Sequence, residues 1–400
     1  VSLPGDPTFA ALPTTIFEVM SVLALRHGAV NLGQGFPDSE GPEDVREVAA
    51  RAFRDGPNQY PPMLGVPALR QAIADHYRRH QALDVTADQV MVTSGATQAL
   101  AAAILGLVGP GDEVAMFQPL YDTYAPMVRR AGGVVRPVRL DPPDWRLTPQ
   151  ALDAAIGPST KLVIFNNPLN PAAVVYDEDQ LRALAMACIR HDVIAICDEV
   201  WEHIVFDGRR HTPLMGLPGM ADRTVKIGSA GKIFSLTGWK VGWTIAPPPL
   251  AAQLAKAHQN LQFTVAPGLQ LATAYGLGKD MGYFDAMRRD FARSRDRLAA
   301  GLKAAGFVTT PSQGTYFLNI DLAASGIDVD DATFCLRAAK EAGVVAIPVS
   351  ALYEFDPVTT IVRLCFAKRD ETLDGGVERL AKARALVLRE GVSCGEAGLG

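Results

Sequence analysis

Lys232 lies in Gly228–Ser229–Ala230–Gly231–Lys232–Ile233–Phe234–Ser235–Leu236–Thr237–Gly238–Trp239–Lys240, with a hydroxyl three positions before it and a second cation eight after. That set suits one kind of chemistry, in which the amine condenses with an aldehyde while Ser229 and Lys240 hold a phosphate on the same molecule. Small neighbours let the backbone approach a ligand closely. A crowded cationic site lowers a lysine's pKa and makes it a nucleophile. By itself the segment is also an ordinary Gly/Ser loop with two surface lysines.

A ring that serves as an electron sink needs a protonated nitrogen, and a buried carboxylate beside it provides that. Asp198 closes the apolar run Val193–Cys197, and α/β sheets place ligands at the carboxyl ends of such strands. An acid there equally caps the next turn. Ser94–Gly95–Ala96–Thr97, between a strand and a helix, offers amides and hydroxyls for a phosphate, or is a plain helix cap. Tyr121, in Gln118–Pro119–Leu120–Tyr121, offers a flat face for the ring, although a single aromatic is more often core. Asn170, in Asn166–Asn167–Pro168–Leu169–Asn170–Pro171, is a neutral donor for a ring oxygen inside a turn signal. Arg363 lies in the apolar run Ile361–Phe366. A guanidinium captures a carboxylate bidentately; in such a run it must find an anionic partner or point outward.

The elements that position these residues follow from hydrophobic period. Strands are expected at Val90–Thr93, Glu113–Phe117, Val134–Val138, Lys161–Phe165, Val193–Cys197, Thr224–Ile227 and Val241–Ala246, with helical patterns between several of them. Near-continuous apolar strands alternating with helices indicate α/β architecture, a mostly parallel sheet covered on both faces. The strands Thr224–Ile227 and Val241–Ala246 flank the lysine loop, which is expected to put Lys232 at a sheet edge. Later come a long helix, Gly282–Ala305, and strands Phe307–Thr310, Thr315–Ile320, Val344–Ile347 and Thr360–Phe366, closed by a helix over Glu371–Leu388. The expected organisation is an arm over 1–41, with a helix at Thr15–Leu25, a large domain over 42–280, a smaller α+β domain over 281–390, and a frayed tail over 391–400.

Four hundred residues with 48% hydrophobic content suffice for such a core, and a net charge of −5 gives no sign of nucleic acid or an anionic membrane. Cys188, Cys197, Cys335, Cys365 and Cys394 are scattered and form no C-x-x-C pair, as expected of reduced core thiols. No histidine pair has zinc-ligand spacing, no apolar run is long enough to span a bilayer, and no leader is apparent. No metal is therefore expected, and a cytoplasmic location is.

Taken together and in this order, these segments resemble the fold type I pyridoxal-phosphate enzymes of the class I/II aminotransferase family. Asn31–Leu32–Gly33–Gln34–Gly35–Phe36–Pro37–Asp38, Asn58–Gln59–Tyr60–Pro61–Pro62 and Phe366–Ala367–Lys368–Arg369–Asp370–Glu371–Thr372–Leu373 resemble its kynurenine/glutamine, methionine and succinyl-diaminopimelate branches. The resemblance covers roughly residues 13–388. It implies pyridoxal 5'-phosphate as cofactor and an L-amino acid and a 2-oxo acid as substrates. It implies Lys232 as Schiff-base lysine and proton shuttle, Asp198 on the pyridine nitrogen, Asn170 at the ring oxygen and Tyr121 stacked on the ring. Ala96, Thr97, Ser229 and Lys240 would hold the phosphate; Arg363, Gly35 and Asn170 the substrate carboxylate. Tyr60 would reach the phosphate of a neighbouring copy in a homodimer. Ile16, Phe17, Phe36 and Phe263 are candidates for the side-chain pocket or for core.

Three departures accompany the resemblance. Trp201 stands where the family has a tyrosine that serves the ring oxygen. Leu169 replaces a histidine near Asp198, and Ala172–Ala173 replace Thr-Gly. All three are expected to cluster around the ring. Transamination that tolerates them is one reading. Others are a retuned pyridoxal reaction (cysteine-conjugate β-lyase, oxidase or cyclase) and a non-catalytic scaffold that only binds the cofactor.

Overall fold

The computed structural model describes residues 5–396, with side chains described as far as Arg389. Its strands are β1 (Val30–Asn31), β2 (Val90–Thr93), β3 (Glu113–Gln118), β4 (Val134–Arg139), β5 (Thr160–Asn166), β6 (Ile194–Asp198), β7 (Thr224–Ser229), β8 (Gly242–Ile245), β9 (Val308–Thr309), β10 (Phe317–Asp321), β11 (Val344–Val345), β12 (Ile347–Pro348) and β13 (Ile361–Cys365). Seven of them form one sheet in the order β2-β8-β7-β6-β5-β3-β4, with β8 alone running against the rest. The runs IAICD and TVKIGS of β6 and β7 are buried almost throughout, because helices cover both faces of a sheet joined by parallel crossovers.

Strand direction decides where chemistry can sit. Five parallel strands, β2, β3, β5, β6 and β7, end at one rim, at Thr93, Gln118, Asn166, Asp198 and Ser229, and β8 begins there at Gly242. Lys232 therefore stands at the carboxyl rim and not at a lateral edge. The edges are β2 and β4, because β2 pairs on the far side of β8 and encloses β7 and β8.

The later strands β9, β10, β12 and β13 form an antiparallel sheet in the order β12-β13-β10-β9. The run expected as one strand, Val344–Ile347, divides. β11 pairs in parallel with β1 of the arm, whereas β12 pairs with β13 beside Arg363. One short apolar run thus ties the arm to the later sheet. The arm helix spans Ile16–His27, capped by the Thr15 hydroxyl accepting from Glu18 N–H at 3.2 Å and ended by Gly28 at φ 56°. The last helix runs Asp370–Glu396, so the expected tail is helical as far as 396, and 397–400 lie outside the described residues. Gly391 weakens such a helix by about 1 kcal/mol without breaking it, and no proline interrupts the run. No helix among the described residues is long and apolar enough to cross a membrane.

Behind the rim, His76 and His203 lie buried with their Nε2 atoms 2.7 Å apart, and His203 stacks on Phe284 at 4.6 Å. Burial first, then neighbouring imidazoles, holds both pKa values well below the usual histidine range. Unfolded imidazoles take protons near pH 6.5 while these stay neutral, so their stabilising contribution is full above about pH 6.5 and falls as the pH drops below it. Asp331, which burial pushes up to about 6, acts in the opposite direction over this range. A His76→Leu/His203→Phe double variant keeps Asp331 and should lose melting temperature less steeply than the wild type between about pH 7 and 5. Parallel profiles would refute the neutral-pair assignment.

Candidate active site

A cavity of about 210 Å³ opens at the carboxyl rim, lined among others by Thr97, Tyr121, Asn170, Asp198, Trp201 and Lys232. Its floor is set by close backbone contact. Gly95, at φ 72°, begins the helix Gly95–Leu107, and a Cβ there would stand 3.2 Å from Lys240 Cε and 3.3 Å from its Nζ. A Cβ on Gly242 would lie 2.6 Å from the Gly95 carbonyl carbon. Only glycines let the loop after β2 lie on β8 with Lys240 between them. The helix N-terminus, Thr97, Ser229 and Lys240 consequently face one small space.

Asp198 ends β6, is buried, and accepts from the Tyr124 hydroxyl at Oδ2 over 2.6 Å. Its Oδ1 is buried with no partner among the described residues. Burial raises the carboxyl's pKa, opposed by the Tyr124 hydrogen bond and by Lys232. An N–H cation placed against Oδ1 would meet both an empty acceptor and a favourable charge. Asn166 fixes the rim beside it: its Nδ2 donates to Asp198 O at 2.7 Å, and its Oδ1 accepts from Asn170 N–H at 2.8 Å.

Lys232 Nζ is 3.2 Å from the Tyr316 hydroxyl and 4.6 Å from the Trp201 ring centroid. Burial lowers its pKa to about 8, only partly offset by Asp198. Arg363 is 1% exposed and found neither of the two outcomes expected of it. Its partners are neutral: Asn170 Oδ1 at 2.8 Å and Gly33 O at 2.9 Å. The guanidinium lies 4.0 Å from the Phe317 ring centroid, and its Nε–H has no partner among the described residues. Burial brings its pKa down to about 10, so it remains a cation without a bonded counterion.

Not every expected residue reaches the cavity. Tyr60 is 86% exposed and packs edge-on against Phe263 at 5.8 Å. Gly35 joins the site through its carbonyl, which accepts from Tyr316 at 2.5 Å. Of the three departures, only Trp201 lines the cavity. Leu169 and Ala172 are buried in an apolar cluster with Phe165 and Cys197, and Ala173 takes φ 61°, a left-handed conformation suited to glycine. Those two departures belong to the turn and its packing, and neither lines the cavity. Tyr124, Asn166 and Tyr316 were not singled out by the sequence. Tyr124 opens the helix Tyr124–Arg130, and its ring meets that of Tyr121 at 5.8 Å.

These residues fit pyridoxal 5'-phosphate: an orphaned carboxylate oxygen, a glycine cradle beside a lysine, and a second, nucleophilic lysine converge on one cavity. The family model for aminotransferase class I and II matches residues 28–380. The chain is 44% identical to a probable N-succinyldiaminopimelate aminotransferase of Mycobacterium tuberculosis, over 92% of this chain and 96% of that one. It is 37% identical to kynurenine–oxoglutarate transaminase 3 of Rattus norvegicus, over 92% and 87%. An Escherichia coli structure described as having a methionine aminotransferase function superposes with TM-score 0.91 at 41% identity, covering 95% of this chain and 100% of that one. The chain belongs to the class I and II aminotransferases. It has their fold type I architecture and is a pyridoxal-phosphate-dependent enzyme that transfers an amino group between an amino acid and a 2-oxo acid.

Proposed function

We propose that Lys232, Asp198 and Arg363 carry this transfer, on amino acids with apolar or aromatic side chains. The observation that carries the reading is the buried Arg363, held by neutral groups with its Nε–H unpartnered and placed through Asn170 at the cavity. A cation so arranged is a receptor for a carboxylate. Phe17, whose ring centroid lies 5.2 Å from the guanidinium carbon, supplies an apolar wall. Phe36 and Phe263, at 46% and 40% exposure, lie farther out on the surface of the single chain.

Ala96, Thr97, Ser229 and Lys240 would hold the phosphate, Tyr121 would cover one ring face, and Asp198 Oδ1 would keep the ring nitrogen protonated. Asn170 gives its carbonyl oxygen to Arg363, which leaves its NH₂ to donate to the ring oxygen. Bound there, the cofactor supplies an aldehyde carbon that accepts the amino group and a ring that takes up the electrons released with the α-proton. Lys232 would be the amine that holds that carbon, and as a free amine, with its pKa lowered to about 8 by burial, it would be a base able to take the α-proton near neutral pH and return it. Trp201 packs its ring 4.6 Å from Lys232 Nζ but, as an indole, cannot lend a phenol to the ring oxygen. Tyr60 projects far enough from this copy to serve the phosphate of a second, in a homodimer whose large domain spans 42–280, with an arm over 1–41 and a small domain over 281–390. The location proposed is the cytoplasm.

The test is the absorption spectrum of the purified protein, repeated with a panel of amino acids and no 2-oxo acid. Loss of the visible band with release of the matching oxo acid identifies the donor; a band that responds to no amino acid refutes the reading. Arg363→Lys should lower kcat/KM about 30- to 150-fold for that donor, because a point ammonium replaces a planar fork in charge-assisted hydrogen bonds worth about 2–3 kcal/mol. A loss under threefold would move the carboxylate seat elsewhere.

A further inference from the structure

We propose that Tyr316 is a positioning residue for Lys232, its phenolic oxygen accepting the Nζ–H while its own proton is engaged by the Gly35 carbonyl. The proposal rests on Lys232 being the cofactor-bonding amine.

The direction of the two hydrogen bonds follows from chemistry. A phenol has one proton and acceptor lone pairs, and a carbonyl can only accept. The 2.5 Å contact to Gly35 O therefore uses the phenol's proton, and the 3.2 Å contact to Lys232 Nζ uses a lone pair. Tyr316 has no freedom to do otherwise. It is 0% exposed, with its ring held by Trp201 at 4.4 Å and 86°, Phe317 at 5.1 Å and Phe291 at 5.9 Å.

Its backbone is fixed as firmly. Tyr316 O accepts from Phe366 N–H at 3.0 Å, Thr315 N–H donates to Ile204 O at 2.9 Å, and Gln313 N–H donates to Ala173 O at 2.8 Å. The segment before β10 is thereby stitched to the loops of the large sheet's rim, and Tyr316 joins that rim, the later sheet and the arm at one oxygen. Trp201, in edge contact with the same ring, meets Lys232 Nζ with its π face at 4.6 Å but offers it no lone pair. The phenol that serves the amine comes from a different strand entrance.

An acceptor favours the ammonium over the amine, so it opposes the effect of burial and keeps Nζ aimed toward the arm when the lysine is free. Gly35 lies in the segment proposed beside the substrate carboxylate, so a shift of the arm is felt at the amine. A packing role alone would give neither effect.

The test uses the full-length protein freed of cofactor, treated with pyridoxal and cyanoborohydride across a pH series. Labelling of Lys232 is read by peptide mass spectrometry. In Tyr316→Phe the labelling midpoint should move down by about one pH unit, so that labelling below it becomes about tenfold faster. Phe291→Leu loosens the same ring without removing the oxygen, and should lower the melting temperature while leaving the midpoint in place. An unmoved midpoint in Tyr316→Phe, or an equal shift in Phe291→Leu, overturns the role of Tyr316 with Lys232 still the labelled amine. Labelling that spares Lys232 in the wild type overturns the cofactor-lysine reading, and this proposal with it.

Discussion

Lys232→Ala should lose at least about 10⁴-fold in turnover, because in the proposed mechanism one atom both bonds the cofactor and moves the α-proton. Substitution by another amine is blocked by geometry. Lys240 lies against Gly95, and Lys226 is buried between two carboxylates. The same change should not destabilise the cofactor-free protein. Burial lowers the Lys232 pKa to about 8, against about 10.5 in the unfolded chain. At pH 7 the folded protein therefore carries a cation it holds less well than water does, a cost on the order of 3 kcal/mol that is present below pH 8 and fades as the pH rises through 10.5. Alanine removes that cost and loses some packing of the lysine stem. The cofactor-free variant should melt at or above the wild-type temperature at pH 7 while being inert. Turnover within tenfold of wild type would end the assignment. Inactivity accompanied by a large drop in melting temperature would show only that the variant misfolds. This opposition of stability and activity is what a retained, strained functional amine produces.

The site was legible in the sequence to the extent that it is made of strand ends. Asp198, Ser229, Asn170 and the Ser94–Thr97 loop each follow an apolar run, and parallel strands bring their carboxyl ends to one rim whatever their lateral order. Lateral order is a matter of long-range pairing that period and propensity do not encode, and that is why Lys232 was expected at an edge. Tyr316 and Tyr124 escaped notice for a related reason. Each looks like an aromatic at the start of a strand or helix, and its partner, Lys232 or Asp198, is distant in sequence. For Arg363 the alternatives of an anionic partner or an outward orientation both fail, since it is buried among neutral groups. Its pairing with an amide and a carbonyl needed Asn170 and Gly33, which come from two other segments of the chain. Leu169 and Ala172 show the converse, residues close to Asn170 in sequence whose side chains pack in an apolar cluster and do not line the cavity.

Lys226→Met should cost about 3–5 kcal/mol of stability, the largest structural effect expected of a single change near the site. Lys226 bridges Glu199 and Glu202, the pair to Glu202 spanning 2.7 Å, with all three side chains at most 1% exposed. Burial pushes Glu199 up, but Lys226 and His211 outweigh it and leave the carboxyl at about 2. Burial likewise pulls Lys226 down, and the two carboxylates raise it above its ordinary value. Glu202 also accepts from Tyr77 at 2.7 Å and Gln81 at 2.6 Å, and Trp243 donates to Tyr77 at 2.9 Å. Methionine fills much of the volume but leaves two buried anions without their cation, and that penalty exceeds the net worth of the original pairs. The deficit should shrink as pH falls and the stranded carboxylates take protons. A triple variant, Lys226→Met with Glu199→Gln and Glu202→Gln, should recover most of the loss, since neutral groups need no counterion. The consequence reaches the chemistry because Glu199 and Glu202 flank Val200–Trp201 immediately after Asp198. Movement of either anion is expected to displace the turn that holds Asp198 and the indole beside Lys232. Denaturant unfolding of Lys226→Met within about 1 kcal/mol of wild type, or a triple variant no more stable than the single, would show that the buried cation does not hold this turn in place.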